Sequence, residues 1–291
     1  MNLERIMRVD RRIIYLFVAA GTILPIIFVI GLPVSITPPV QMAFDRIENQ
    51  LKEGDVVLVS FDYGPSSAPE NAPMADAFLR HCFSKGIKVI VIALYPLGGL
   101  SEAVSELNKV VAEFPELEYG VDYVNLGYKD GAQAAMRKMN ENIHEVFPTD
   151  VRGTPLSQIP MMKNVKSYAN IKLCITLATG IIGEWWANLV NAQFGLPVIV
   201  GPTAVSAPKY YAYLESKQMA GLLGGLKGAS EYERLVVNKY PHLAEVYATP
   251  GMYTATKGMD VQSIVHLIMI AFIVLGNVVY FTGKRKPRKA A

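Results

Sequence analysis

Charge is scarce in this sequence: only 18% of its 291 residues are Asp, Glu, Lys or Arg, against roughly a quarter in a soluble domain. With 51% hydrophobic residues and a mean hydropathy of +0.25, the shortfall points to segments that never meet water. Cysteine is nearly absent. Cys82 and Cys174 are the only two, each inside an apolar stretch (His81-Cys82-Phe83 and Leu173-Cys174-Ile175). That excludes a disulfide framework and a cysteine zinc site, and reads both as small buried hydrophobes. The four histidines, His81, His144, His242 and His266, are scattered beyond metal-ligand spacing of one another, so no metal centre is expected.

Motifs are also missing. The sequence contains no Gly-x-Ser-x-Gly nucleophile elbow, no phosphate-binding Gly-x4-Gly-Lys-Ser/Thr and no strand-anchored Gly-x-Gly-x-x-Gly. These absences leave the cofactor unknown. A net charge of +3 is too small to argue for nucleic acid, and no nucleic-acid partner is expected.

Two long apolar runs are present. From Ile13 to Ile36 no charged residue occurs, which meets the ~20 residues of helix that a bilayer core requires. The run exceeds a signal-peptide core and offers no Ala-x-Ala cleavage site, so it reads as an uncleaved anchor kinked at Pro25. A second run covers 261–282, with His266 and Asn277 its strongly polar side chains. An amide inside a bilayer seeks a partner across a helix interface, either Thr22 of the first span or another subunit.

Basic residues set the orientation. Arg5, Arg8, Arg11 and Arg12 precede the first span, and Lys284, Arg285, Lys286, Arg288 and Lys289 follow the second. Both termini are expected in the cytoplasm of a two-pass cell-membrane protein, with the central domain extracytoplasmic. The expected partners are the lipid bilayer and either further copies of the chain or other membrane proteins.

Between the spans, strand-like and helix-like stretches alternate. Strands are expected at 55–61, 87–94, 121–126, 171–177, 197–200 and 218–223. Helices are expected at 70–85, 101–113 (N-capped by Ser101), 131–146, 183–194, 208–216 and 229–240. The strand runs are apolar throughout, as in a sheet covered on both faces, and the intervening helices make parallel βαβ units. The fold class is α/β: a three-layer, doubly wound, mainly parallel sheet flanked by an N-terminal and a C-terminal transmembrane helix. The organisation reads as a basic tail (1–12), transmembrane helix 1 (13–36), a connector helix (37–54), the α/β domain (55–258), transmembrane helix 2 (261–282) and a second basic tail (283–291). The proline-rich stretch 148–169 is either a subdomain break or a loop over the sheet edge.

Ligands of such sheets bind outside the carboxyl ends of the strands. That rule selects Asp62, Tyr63, Ser66 and Ser67 after the first strand, Asp130 after the third, Thr179 and Glu184 after the fourth and Thr203 after the fifth. Asp62 is suited either to a ligand hydroxyl or to capping the next turn, and a carboxylate pair of Asp62 with Asp130 is open. Lys227, in Gly224-Gly225-Leu226-Lys227-Gly228 before a helix, is suited to a phosphate, although a turn between packed elements accounts for the same residues. The tyrosines Tyr210, Tyr211 and Tyr213 and the pair Trp185-Trp186 suit core, a ligand wall or an interface. Two functions fit this pattern. One is a membrane-anchored module that binds a partner or small ligand, as a subunit of a membrane assembly. The other is a membrane-tethered ectoenzyme, a hydrolase or transferase with its site in the strand-end loops.

Overall fold

The computed structural model describes residues 10–28, 30–249, 252 and 254–284. Most of the basic residues behind the orientation argument, Arg5, Arg8 and those from Arg285 onward, lie outside the described residues. The chain forms two compact units, residues 34–244 and residues 1–33 with 245–291.

In the larger unit, α2 (Pro38–Gln50) leads into β1 (Val56–Asp62), α3 (Ala68–Ser84), β2 (Lys88–Ala93), α4 (Gly99–Val111), β3 (Tyr123–Tyr128) and α5 (Ala132–Glu141). The second half contains β4 (Leu173–Ala178), α6 (Ile182–Trp185), β5 (Val198–Pro202), α7 (Ala207–Glu215), β6 (Gly221–Leu222) and α8 (Gly225–Lys239). The six strands lie in the order β3-β2-β1-β4-β5-β6, and every pairing between them is parallel. This is a Rossmann-like sheet whose strand order reverses between β1 and β4. Leu58 pairs with Ile90 on one side and Cys174 on the other.

Side chains alternate across the pleat, so each strand feeds two cores. On one face Leu58, Ile90, Cys174 and Val198 pack with Met136 and Met139 of α5 and with Trp186 and Val190. The proline-rich stretch joins this core through Leu156, Ile159, Met162 and Tyr168. On the other face lie α3 and α8, joined where Phe78 meets Tyr232 at 4.4 Å between ring centroids. Cys82 and Cys174 are buried and unpaired, and burial pushes the Cys82 thiol up to about 12. Gly221 admits α2 against the edge strand: a Cβ there would stand 2.5–2.7 Å from Ala43.

Charge is buried where α3 meets α4. Arg80 grips Glu113 with two 2.7 Å hydrogen bonds, and Lys109 bridges Asp76 and Glu106. Burial, reinforced by the adjacent Asp76, raises Glu106 to about 8. A second knot joins α2, α3 and α8. His81 contacts Tyr232 through Nδ1 (2.7 Å) and Glu48 through Nε2 (3.1 Å).

Several boundaries differ from the sequence expectation. The helix expected over 131–146 breaks at Asn142, which leaves helical geometry (φ −155°, ψ 110°) and accepts a hydrogen bond from the His144 N–H. Gly98, not Ser101, is the N-cap of α4; Ser101 sits in the first turn and donates to the Gly98 carbonyl. α8 begins at Gly225, so Lys227 belongs to a helix rather than to a turn before one.

The smaller unit contains α1 (Arg11–Ile27) and α9 (Ala255–Lys284). Residues Ala255–Thr282 of α9, with an 18-residue stretch of mean hydropathy 2.4, are long and apolar enough to cross a membrane. Its start is earlier than expected, and two charges in its first turns are satisfied by backbone groups. Lys257 donates to the Thr249 and Met252 carbonyls at 2.7 and 2.9 Å. Asp260 accepts the backbone N–H groups of Ile30, Gly31 and Leu32 at 2.8–3.2 Å. The first apolar run does not stay helical to Ile36. α1 ends at Ile27, two residues past Pro25, whose ring removes a backbone donor from the ladder. Seventeen residues span ~26 Å at 1.5 Å per residue, less than the ~30 Å hydrocarbon core. α1 runs antiparallel to α9: Phe17 meets Phe272 at 5.8 Å, and Gly21 lies against Ile264 and Ile268.

Candidate functional site at the carboxyl edge of the sheet

In open parallel sheets ligands bind where the strand order reverses, which here marks the carboxyl ends of β1 and β4. At that place is Asp62, the last residue of β1, fully buried. Its carboxylate accepts hydrogen bonds from the Leu94 N–H (3.1 Å), Thr176 Oγ1 (2.8 Å) and Trp186 Nε1 (2.8 Å). Its backbone carbonyl takes the Thr179 N–H at 3.0 Å. One side chain thus ties together β1, β4, the β2 exit and the helix after β4. Burial raises the Asp62 pKa, opposed by its hydrogen bonds from Thr176, Trp186 and Leu94.

Trp186 reaches Asp62 because the helix changes pitch at that residue. After one α-turn, Trp186–Asn191 adopt π-helical geometry, which recurs at functional sites where one side chain must be re-aimed. Trp186 is fully buried and Trp185 only half-buried, so the tryptophan pair divides between core and rim. The tyrosines divide in the same way: Tyr210 is buried, Tyr213 half-buried and Tyr211 exposed.

The other expected residues are distributed along the edge. Ser66 is exposed and Ser67 is buried, the latter donating to the Gly64 carbonyl at 3.3 Å. Tyr63 is buried, and burial together with the carboxylates Glu106, Glu102 and Asp76 raises its phenol. Thr179 is half-buried. Glu184 accepts from Lys209 at 2.5 Å and from Tyr213 at 3.4 Å, forming an acid–base pair between the helices that follow β4 and β5. Thr203 is buried and bonds Ser206 at 3.2 Å.

Asp130 and Lys227 sit apart. Asp130 is exposed beyond the outer strand β3 and accepts from Tyr128 at 3.2 Å. It lies two strands, about 10 Å, from β1, and Asp62 is saturated by other donors, so the carboxylate pair does not form. Lys227 bonds Glu231, whose other oxygen takes the Thr37 N–H and hydroxyl, both at 2.6 Å. That arrangement clamps the start of α2 to α8.

Sequence reading missed two participants, Thr176, which holds Asp62, and Lys209, which holds Glu184, and left Trp186 open between core, ligand wall and interface. It also missed a groove of about 650 Å³ beside the β2 and β3 exits, walled by Tyr95 and Tyr128 with Leu100, Ser101, Val104 and Ser105. A tyrosine at the exit of two neighbouring strands was the available signal. Among the described residues no cluster of three or more histidine, cysteine or acidic side chains is arranged to hold a metal.

The fold and its edge define a membrane-associated, Rossmann-like α/β protein with a buried polar network at the strand carboxyl ends. No protein-family model matches the chain, and no curated protein is similar to it.

Proposed function

We propose that this chain is a membrane-tethered enzyme, a hydrolase or transferase, whose site is at the carboxyl ends of β1 and β4. The observation that carries the reading is the buried hydrogen-bonded set of Asp62, Thr176 and Trp186 at those strand ends. A buried carboxylate is costly, and one held by three donors immobilises the strand ends that a catalytic constellation must stand on. In this reading Asp62 is a positioning residue. Ser66 and Thr179 present hydroxyls to substrate oxygens, and Glu184, held by Lys209 and Tyr213, carries the proton. Ser67 and Thr203 shape their loops. Tyr63, Asp130 and Lys227 are peripheral.

The test is turnover by the full-length protein in mild detergent, measured on chromogenic acyl, phosphoryl and glycosyl esters. Glu184→Gln is expected to lower the rate at least ~100-fold without moving the melting temperature. A second reading, a partner-binding module, draws on the apolar loop tips of the same edge: Leu97, Ile181 and Val205 are 73%, 51% and 90% exposed. Absence of turnover on all three ester classes, with a stoichiometric protein co-purifying, would favour it.

In our proposal the anchor is a two-helix hairpin. α1 is short for a full span, but it packs antiparallel along α9 and keeps its apolar side chains exposed. With the basic flanks on one side of the bilayer, both termini are cytoplasmic and the α/β domain is extracytoplasmic.

A further inference from the structure

Asn277 is an amide on an apolar helix. It lies seven residues before the end of α9 at Lys284, about 10 Å along the axis, and so falls within the hydrocarbon. Thr22 of α1 is not its partner: the neighbouring Gly21 lies against Ile264 and Ile268, and position 268 is about 13 Å along α9 from Asn277. The face of α9 that meets α1 carries Ile264, Ile268 and Phe272. At about 100° per residue, Asn277 points roughly 180° away from the centre of that face. Its Nδ2 donates to the Ile273 carbonyl at 2.9 Å, which is its sole hydrogen bond among the described residues and leaves one amide N–H and the side-chain oxygen to be satisfied. Around it Val274, Val278, Phe281 and Thr282 outline a groove of about 400 Å³, and the first three of these are exposed.

We propose that this face is a self-association surface, on which Asn277 pairs with Asn277 of a second copy of the chain about a two-fold axis along the membrane normal. Lipid tails offer the amide neither donor nor acceptor. An asparagine carries both, so two copies satisfy each other reciprocally. Every copy shares the same anchor, so a second copy presents its amide at the same depth, and the isologous geometry follows. This inference goes beyond the proposed activity and depends only on α9 lying in the bilayer. Resistance to alkaline carbonate extraction checks that requirement separately.

The experiment is disulfide trapping of the full-length chain in its native membrane. The native Cys82 and Cys174 are buried and give little background. Val278→Cys is expected to form a band at twice the 32.0 kDa of the chain, whereas Ile268→Cys, on the α1 side, is not. Adding Asn277→Leu is expected to weaken association about 3- to 30-fold in sedimentation equilibrium, the range measured for polar contacts between membrane helices, and Asn277→Gln to preserve it. A particle that stays monomeric at all concentrations, equal trapping at positions 268 and 278, or a dimer indifferent to Asn277→Leu would each overturn the proposal.

Discussion

Trp186 donates its indole N–H to the fully buried carboxylate of Asp62 at 2.8 Å, across 124 residues of sequence. The bond joins the exit of β1 to the π-helical turn after β4. Asp62→Ala strands three buried donors and is expected to cost about 3–5 kcal/mol. Trp186→Phe removes one donor and little volume, and is expected to cost about 1–3 kcal/mol. Chemical denaturation of the full-length protein in detergent measures both. Equal stability of Asp62→Ala and the parent would mean that the network does not hold the edge together.

Two buried clusters give stability opposite dependences on pH. Burial lowers His81 from 6.5 to about 4, so its contribution is complete above 6.5 and is lost as pH falls from 6.5 to 4. Burial works to raise Glu48, but hydrogen bonds from His81, Lys239 and Tyr240 outweigh it and hold the carboxyl at about 2; that contribution is lost as pH falls from 4.5 to 2. Glu106, raised to about 8, acts with the other sign. Between 4.5 and 8 the unfolded chain ionises first, so stability declines as pH rises. The His81 and Glu106 effects oppose each other between about 4.5 and 6.5, so the expected profile has a plateau there and falls on either side. Glu106→Gln should abolish the decline above 6.5, turn the plateau into a rise toward 6.5 and leave the profile below 4.5 unchanged, as read from melting temperature against pH.

The helix hairpin is open to direct chemical test. Phe17 and Phe272 face each other at 5.8 Å between centroids, so the pair Phe17→Cys and Phe272→Cys is expected to cross-link within one chain. Asp260→Ala releases the backbone of Ile30, Gly31 and Leu32 and should reduce the yield. No intramolecular cross-link in the parent background would remove the support for a second span.

Gly221→Ala is expected to destabilise the larger unit by about 1–3 kcal/mol, since the added methyl meets the Ala43 backbone at 2.6–2.7 Å. The same substitution at exposed Gly153, which has open space but φ +80°, should cost only about 1 kcal/mol of backbone strain. Urea denaturation compares the two.

Much of the architecture was legible because it is written locally. Val-Val-Leu-Val-Ser-Phe at 56–61 is apolar at every pleat position but one, the mark of a strand covered on both faces, and it is such a strand. Helix boundaries were less legible. Asn142 interrupts a continuous helical periodicity with a side-chain bond to the His144 N–H, a competition between side chain and backbone that hydrophobic spacing does not register.

The candidate site was legible as a place but not as an arrangement. The strand-end rule selected the loop that begins at Asp62, yet the direction of its carboxylate depends on Thr176 and Trp186, more than a hundred residues away. Glu184 was selected by position and Lys209 was not, because their bond links the separate helices that follow β4 and β5.

By itself the sequence determined the periodic elements, the parallel character of the sheet and the apolar helix able to cross a membrane, since each depends on side chains within a few residues of one another. The tertiary structure alone decided the order β3-β2-β1-β4-β5-β6, the inward turn of Trp186 and the clamp of Asp260 on Ile30–Leu32. Those depend on which distant groups share a buried volume, where an unpaired charge or donor costs more than any local preference supplies.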